Sequence, residues 1–125
     1  MKRVVITGMG AVTAFGESWE SLKQGLLSYQ NAVVYMNDWD CYQGLGTKLG
    51  APVPNFKVPA YYPRKMTRSM GRVAQMATRA CELALIDANL LHDQEVDPCV
   101  SDGSTGIAYG SCTGSTKPIR DFGSM

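Results

Sequence analysis

The sequence predicts an α/β fold, but only an incomplete portion of one. Two short runs rich in β-branched residues, 3–7 and 105–109, are typical of strands buried on both faces. A long connection with helical segments separates them, and this order of elements builds parallel sheets. Two or three strands make a poor sheet, and these 125 residues hold too few further elements to cover its faces.

The first strand is followed by a glycine-punctuated turn, residues 8–16, and then by a short helix. Ser18 is a good N-cap, and Trp19, Leu22 and Leu26 fall on one face of that helix. From residue 28 to residue 63 the periodicity fades, and only one short strand is expected, near residues 48–53. Such a long irregular segment usually forms a functional or interface loop.

A second helix is predicted over residues 67–90. Its apolar stripe repeats at helical spacing and consists mostly of small side chains: Met70, Val73, Ala74, Ala77, Ala80, Cys81, Ala84 and Ala88. Small side chains allow the helix to approach a sheet or another helix closely. Residues 92–104 are polar and predict a loop, and a second glycine-rich turn, residues 110–115, follows the second strand.

Composition excludes several classes of protein. The hydrophobic fraction of 45% is that of a globular domain and not of a disordered tail. Twelve basic residues against eleven acidic ones give a net charge of +1, which offers no electrostatic footprint for nucleic acid or an anionic membrane. No apolar run is long enough for a membrane span, and the first residues do not resemble a signal peptide. We expect a cytoplasmic protein.

Cysteine spacing gives no sign of a metal site or a disulfide framework. The four cysteines, at positions 41, 81, 99 and 112, include no Cys-x-x-Cys pair, and His92 is the only histidine. Zinc sites need thiolates or imidazoles at close spacing. We therefore expect reduced, unpaired thiols and no bound metal.

The first turn, Gly8-Met9-Gly10-Ala11-Val12-Thr13, nearly matches the dinucleotide-binding fingerprint. Thr13 stands where that fingerprint requires a third glycine or an alanine, and no helix starts directly after it. A tight turn in an α/β sheet is the favoured interpretation, with a nucleotide site as the alternative.

Cys112 and His92 are the two candidates for catalysis. Cys112 lies in a glycine-rich turn after a strand, but a reactive thiol needs a base or a positive environment, and no histidine is near it in the sequence. We interpret Cys112 as a small turn residue and His92 as a solvated surface residue; a nucleophile and a loop acid–base group are the alternatives.

Three basic residues, Arg64, Lys65 and Arg68, cluster around the start of the second helix. Cations at a helix N-terminus oppose the macrodipole, so helix stability does not explain them. They are either a solvated cluster or a docking point for a small acidic partner.

Four segments in register resemble the β-ketoacyl-acyl-carrier-protein synthases, most of all the elongating type II enzymes. They are Arg3-Val4-Val5-Ile6-Thr7-Gly8-Met9-Gly10 with Gly16 and Trp19-x-x-Leu22 behind it, Arg64-Lys65-Met66, Ala84-Leu85-x-Asp87-Ala88, and Ile107-Ala108-Tyr109-Gly110-Ser111. The resemblance implies the layered, thiolase-like fold. Residues 1–125 would then be the N-terminal portion of the first half of that fold, within the family's N-terminal domain.

The resemblance also implies what this chain lacks. The family's nucleophilic cysteine and both catalytic histidines are expected beyond residue 125, so no catalytic residue is assigned here. Cys112 and His92 match none of those motifs. We therefore expect residues 1–125 to be inactive by themselves.

The complete enzyme, by the same resemblance, is an acyltransferase of fatty-acid or related polyketide or polyene synthesis. It adds two carbons from malonyl-acyl carrier protein to an acyl thioester by decarboxylative Claisen condensation, works as a homodimer and needs no cofactor. Thr113 matches a position that lines the acyl pocket near the dimer interface, and Arg64 and Lys65 match positions that meet the acyl carrier protein. A non-catalytic partner subunit or binding module of a synthase heterodimer is the alternative.

Overall fold

The computed structural model describes residues 3–124, which divide into two compact units. One unit consists of residues 12–56, and the other combines residues 3–11 with residues 57–124. Among the described residues Phe56, 7% exposed, is the only buried hydrophobic side chain. Neither unit therefore has an extensive core of its own.

The unit of residues 12–56 contains the first predicted helix, α1 (Trp19–Leu27). Ser18 caps it as expected, because its Oγ accepts a hydrogen bond of 3.1 Å from the Ser21 N–H. Gly25 on this helix is buried, and a Cβ there would come within 2.7 Å of the Phe15 ring. The glycine thus allows the aromatic ring to pack against the helix backbone.

The same unit holds a short antiparallel pair, β1 (Val34–Tyr35) and β2 (Leu49–Gly50), with a 3₁₀ helix at Asn37–Cys41 between them. The second of these strands confirms the strand expected near residues 48–53. The first strand and the 3₁₀ helix were not predicted, since elements of two to five residues are too short to show a period.

The other unit contains α2 (Arg64–Thr67), α3 (Arg72–Asp87), β3 (Leu91–His92), β4 (Glu95–Val96), α4 (Pro98–Ser101) and α5 (Thr116–Gly123). The second helix is found where it was predicted, but α3 is shorter than residues 67–90. Gly71 is the N-cap residue of α3, and its backbone is extended, so the chain is not helical between α2 and α3 at this residue. Asn89, with a left-handed φ of 60°, follows its last turn.

The prediction of a loop over residues 92–104 is wrong in detail. Strands β3 and β4 pair as an antiparallel hairpin, and the two residues of its turn, Asp93 and Gln94, have positive φ values of 47° and 69°. Helix α4 follows, and Asp97 caps it by accepting a hydrogen bond of 2.9 Å from the Cys99 N–H. Polarity alone could not distinguish a tight hairpin from an irregular loop.

Neither of the two predicted buried strands is a strand in this structure. Residues 3–7 and 105–109 have no pairing partner among the described residues, and their apolar side chains face solvent. Val4 is 92% exposed and Ile107 is 93% exposed. A strand requires a neighbour for its N–H and C=O groups, so the expected parallel sheet is not formed among residues 3–124.

Helix α3 makes a very close contact with the glycine turn. A Cβ at Gly8 would lie 2.5 Å from Ala88 N, and one at Gly10 would lie 2.5 Å from Ala84 N. The small-residue stripe therefore packs directly against the backbone of this turn, as its composition indicated. Asp87, near the end of the helix, adds a hydrogen bond of 2.9 Å from the Met9 N–H to its Oδ2.

Candidate functional site

The basic cluster lies on and just after α2. Arg64 and Lys65 form the first turn of this helix and Arg68 is its C-cap, so the cluster that the sequence places around the start of the long helix precedes α3, which begins at Arg72. All three are exposed. Within the part of the chain that the structure describes, none of the three takes part in an ion pair. Their charges are available to an outside partner.

A polar network joins the chain in front of α2 to α3. The hydroxyls of Tyr61 and Tyr62 donate to the two carboxylate oxygens of Glu82, each at 2.6 Å. Arg79 Nη1 donates to Glu82 Oε2 at 2.6 Å and to the Tyr61 hydroxyl at 3.0 Å. The two tyrosine rings meet edge to face, with centroids 5.3 Å apart. We call these four residues the tyrosine–glutamate network.

The network holds a half-buried carboxylate in its charged form. Only 12% of the Glu82 side chain is exposed, and 19% of the Arg79 side chain. Burial raises the pKa of Glu82, but the hydrogen bonds that it accepts from Tyr61, Tyr62 and Arg79 lower that pKa by more, so it falls below its usual value. Burial and the hydrogen bond to Glu82 raise the pKa of Tyr62 far above its usual value.

An apolar groove lies beside the network and α2. Its volume is about 290 Å³, and its lining includes Tyr62, Met66 and Met70 on one side and Leu91 and Val96 of the hairpin on the other. Met66 is 59% exposed. Helix α2 thus borders an apolar depression through Met66 and Thr67.

The remaining sequence-predicted residues lie elsewhere in this unit. Thr113 is exposed in the turn before α5, and so is Cys112. His92 lies on β3, where its Nε2 is 3.2 Å from the Asn89 carbonyl oxygen; it is exposed, as predicted. None of the four cysteines forms a disulfide, and all are exposed.

Packing explains the glycines of the first turn. Gly8 and Gly10 are needed because α3 touches the backbone there, and the Met9 N–H is already bonded to a carboxylate. A nucleotide phosphate would have to displace that carboxylate and overcome its charge. The structure thus favours the tight-turn interpretation over the nucleotide site.

Two negative observations apply to residues 3–124. No group of three or more histidine, cysteine, aspartate or glutamate side chains is placed to hold a metal ion. Every helix in this range is too short or too polar to cross a lipid bilayer.

The tyrosine–glutamate network was not predicted from the sequence. Arg79 and Glu82 fall outside the apolar stripe of the predicted helix, and Tyr61 and Tyr62 fall in the segment predicted to be irregular. About twenty residues separate the two halves of the network, so no spacing rule connects them. The available signal was the i, i+3 pair of opposite charges on the helix together with two adjacent tyrosines before a proline.

Comparison with known proteins gives a consistent result over the whole chain. Residues 1–123 match the family described as the β-ketoacyl synthase, N-terminal domain. The 3-oxoacyl-[acyl-carrier-protein] synthase 2 of Synechocystis is 28% identical over 120 residues, which are 96% of this chain and 27% of the relative. The chloroplastic 3-oxoacyl-[acyl-carrier-protein] synthase I of Arabidopsis thaliana is 31% identical over 123 residues, 97% of this chain and 26% of the relative.

The backbone agrees with these matches. A crystal structure of a β-ketoacyl synthase from Burkholderia phymatum superposes with a TM-score of 0.87 and 54% sequence identity. The superposition covers 100% of this chain and 30% of that one. The chain thus spans less than a third of the length of these relatives. The family match over residues 1–123 shows that the chain belongs to the β-ketoacyl synthases, as part of their N-terminal domain.

Proposed function

We propose that residues 1–125 are the N-terminal portion of a β-ketoacyl-acyl-carrier-protein synthase subunit. The observation that carries this proposal is the agreement of sequence and backbone with a crystallised β-ketoacyl synthase over the whole of this chain, at 54% identity and a TM-score of 0.87. The exposed apolar segments 3–7 and 105–109 support it, because a soluble monomer rarely presents such segments to water. In the full-length subunit they become strands of a thiolase-like, layered fold.

The reaction of the full-length protein is a decarboxylative Claisen condensation. An acyl group passes from the carrier-protein thiol to an active-site cysteine, and the carrier thiol leaves. Malonyl-acyl carrier protein then loses carbon dioxide, and the resulting carbanion attacks the acyl thioester carbon. A carbon–carbon bond forms and the cysteine thiolate is released. The covalent intermediate divides one difficult step into two easier ones, and no cofactor is required.

The catalytic cysteine and histidines lie outside residues 1–125 in this proposal. The chain itself contributes to partner binding and to the acyl pocket. Thr113 lines that pocket beside the interface of a homodimer, and the protein works in the cytoplasm. Arg64 and Lys65 receive the acidic acyl carrier protein, which the relatives' names identify as their substrate carrier.

Electrostatics support docking at α2. The two cations are adjacent, exposed and outside the ion pairs of the described residues. Charges arranged in this way act at long range and accelerate the encounter with a partner of opposite charge. Because the net charge of the chain is only +1, the attraction of an acidic partner comes from this local cluster and not from the charge of the whole chain.

Reversing the charge of the docking pair is expected to weaken carrier binding. In the full-length protein, Arg64→Glu combined with Lys65→Glu should slow association with acyl carrier protein by about tenfold or more at low ionic strength, and the difference should shrink as salt is added. Stopped-flow association rates over a salt series measure this.

The matched control is Lys23→Glu with Lys117→Glu, which changes the net charge equally at two exposed positions outside α2. It should leave the association rate almost unchanged. If both double variants bind equally fast at low salt, α2 is not the docking site.

A further inference from the structure

The Glu82 side chain on α3 accepts hydrogen bonds from the residues that directly precede α2. Tyr61 and Tyr62 come directly before Pro63, whose carbonyl oxygen accepts the first hydrogen bond of α2, from the Met66 N–H at 2.9 Å. Both tyrosine hydroxyls reach the Glu82 carboxylate at 2.6 Å. Hydrogen bonds to an ionised group are about twice as strong as neutral ones, so this attachment is firm.

The linker between α2 and α3 has its own contact with α3. The Gln75 side-chain Nε2 donates to the Met70 carbonyl oxygen at 3.2 Å. Gln75 and Glu82 are seven residues apart, about two helical turns or ~10 Å along α3. A helix of four residues has little stability by itself. Its orientation must therefore depend on how the flanking segments are held, and these contacts hold the segment on each side.

We propose that Glu82 is a positioning residue for carrier-protein docking, acting through Tyr61 and Tyr62 on the basic pair of α2. This inference rests on the docking proposed above. Arg64 is the third residue after Tyr61 and the second after Tyr62, so a shift of the tyrosines moves the backbone that bears both cations. Docking on two adjacent charged side chains depends on the position of the backbone that bears them, because each side chain extends only a limited distance from its Cα.

The chemistry of the network suits this role better than a purely stabilising one. Two hydroxyls, one guanidinium and one carboxylate converge on a segment that is otherwise irregular, and the edge-to-face ring contact fixes the two tyrosines relative to each other. Packing alone could hold the rings with phenylalanine at both positions. The hydroxyls add a directional link to α3.

The test compares two substrates in the full-length protein. One is an acyl group on acyl carrier protein, and the other is the same acyl group on N-acetylcysteamine, which has no protein to dock. The variant Tyr61→Phe/Tyr62→Phe keeps both rings and removes both hydroxyls. We expect the ratio of kcat/KM for the carrier-linked substrate over that for the small thioester to fall by about tenfold, mainly through KM.

The control is Thr78→Ala on the same helix, whose hydroxyl bonds only within α3, to the Ala74 carbonyl oxygen at 2.9 Å. Its ratio should not change, even if its melting temperature falls. If Tyr61→Phe/Tyr62→Phe does not fold, Tyr61→Phe alone serves, since Tyr61 is 46% exposed, and a fall of its ratio is again expected.

Three outcomes are distinguishable. A lowered ratio in the tyrosine variant and in Arg64→Glu/Lys65→Glu supports the inference. A lowered ratio in the charge reversal alone overturns the positioning role and leaves docking at α2 intact. An unchanged ratio in the charge reversal overturns the docking proposal, and the positioning role falls with it.

Discussion

Replacing Gly10 with alanine is expected to lower the free energy of unfolding by about 3 kcal/mol. The added methyl would lie 2.5 Å from Ala84 N and 2.8 Å from the Leu83 Cβ, and it would also meet the Ala80 carbonyl oxygen. Two of these three atoms belong to the backbone of α3, which cannot move aside without shifting the whole helix. Urea unfolding of the full-length protein gives the measurement.

Gly46→Ala is the matched control for this substitution. No atom lies within 4 Å of a Cβ at that position, and its φ is not in the left-handed region. Its unfolding free energy should change by no more than about 0.5 kcal/mol. If Gly10→Ala and Gly46→Ala unfold at the same urea concentration, the close contact between the glycine turn and α3 is wrong.

The second large effect concerns the exposed strand segments. Ile107→Asp should have almost no effect on the isolated 125-residue chain, because Ile107 is 93% exposed there. In the full-length protein the proposal places this residue in a buried strand, and an unpaired carboxylate at such a site is very costly. We expect a loss of soluble, folded full-length protein, or a destabilisation of about 4 kcal/mol or more.

Two measurements test this difference between the isolated chain and the full-length protein. Circular dichroism gives the helix content of the isolated chain, and thermal unfolding gives the melting temperature of the full-length protein. Tyr29 is equally exposed, at 95%, but lies outside both predicted strands. Tyr29→Asp should therefore be tolerated in both settings, because its left-handed φ of 55° suits aspartate. An Ile107→Asp variant that is harmless in the full-length protein would contradict the proposed incomplete fold.

Local sequence patterns predicted the helices better than the sheet. The cap at Ser18 and the small-residue stripe of α3 depend on neighbours within a few residues, and both are present. Strands depend on distant partners. Residues 3–7 and 105–109 have the composition of buried strands, but a strand forms only beside another strand, and no neighbour exists for them among the described residues.

The same distinction applies to the candidate site. Adjacent charges such as Arg64 and Lys65 can be recognised in a sequence, and the structure shows them exposed on one short helix. Glu82 could not be connected to Tyr61 and Tyr62 beforehand, because their meeting depends on how α3 folds back along the preceding segment. Tertiary contacts of this kind leave no periodic signal.

We propose that the condensing chemistry lies outside residues 1–125. Single-turnover acylation with radiolabelled acyl-carrier protein tests it most directly, with the purified 125-residue chain and the full-length protein side by side. We expect stable covalent label on the full-length protein and none on the short chain, whose four exposed cysteines include no assigned nucleophile. Stable label on the short chain would show that this proposal is wrong, and Cys112 would be the first candidate for the acylated residue.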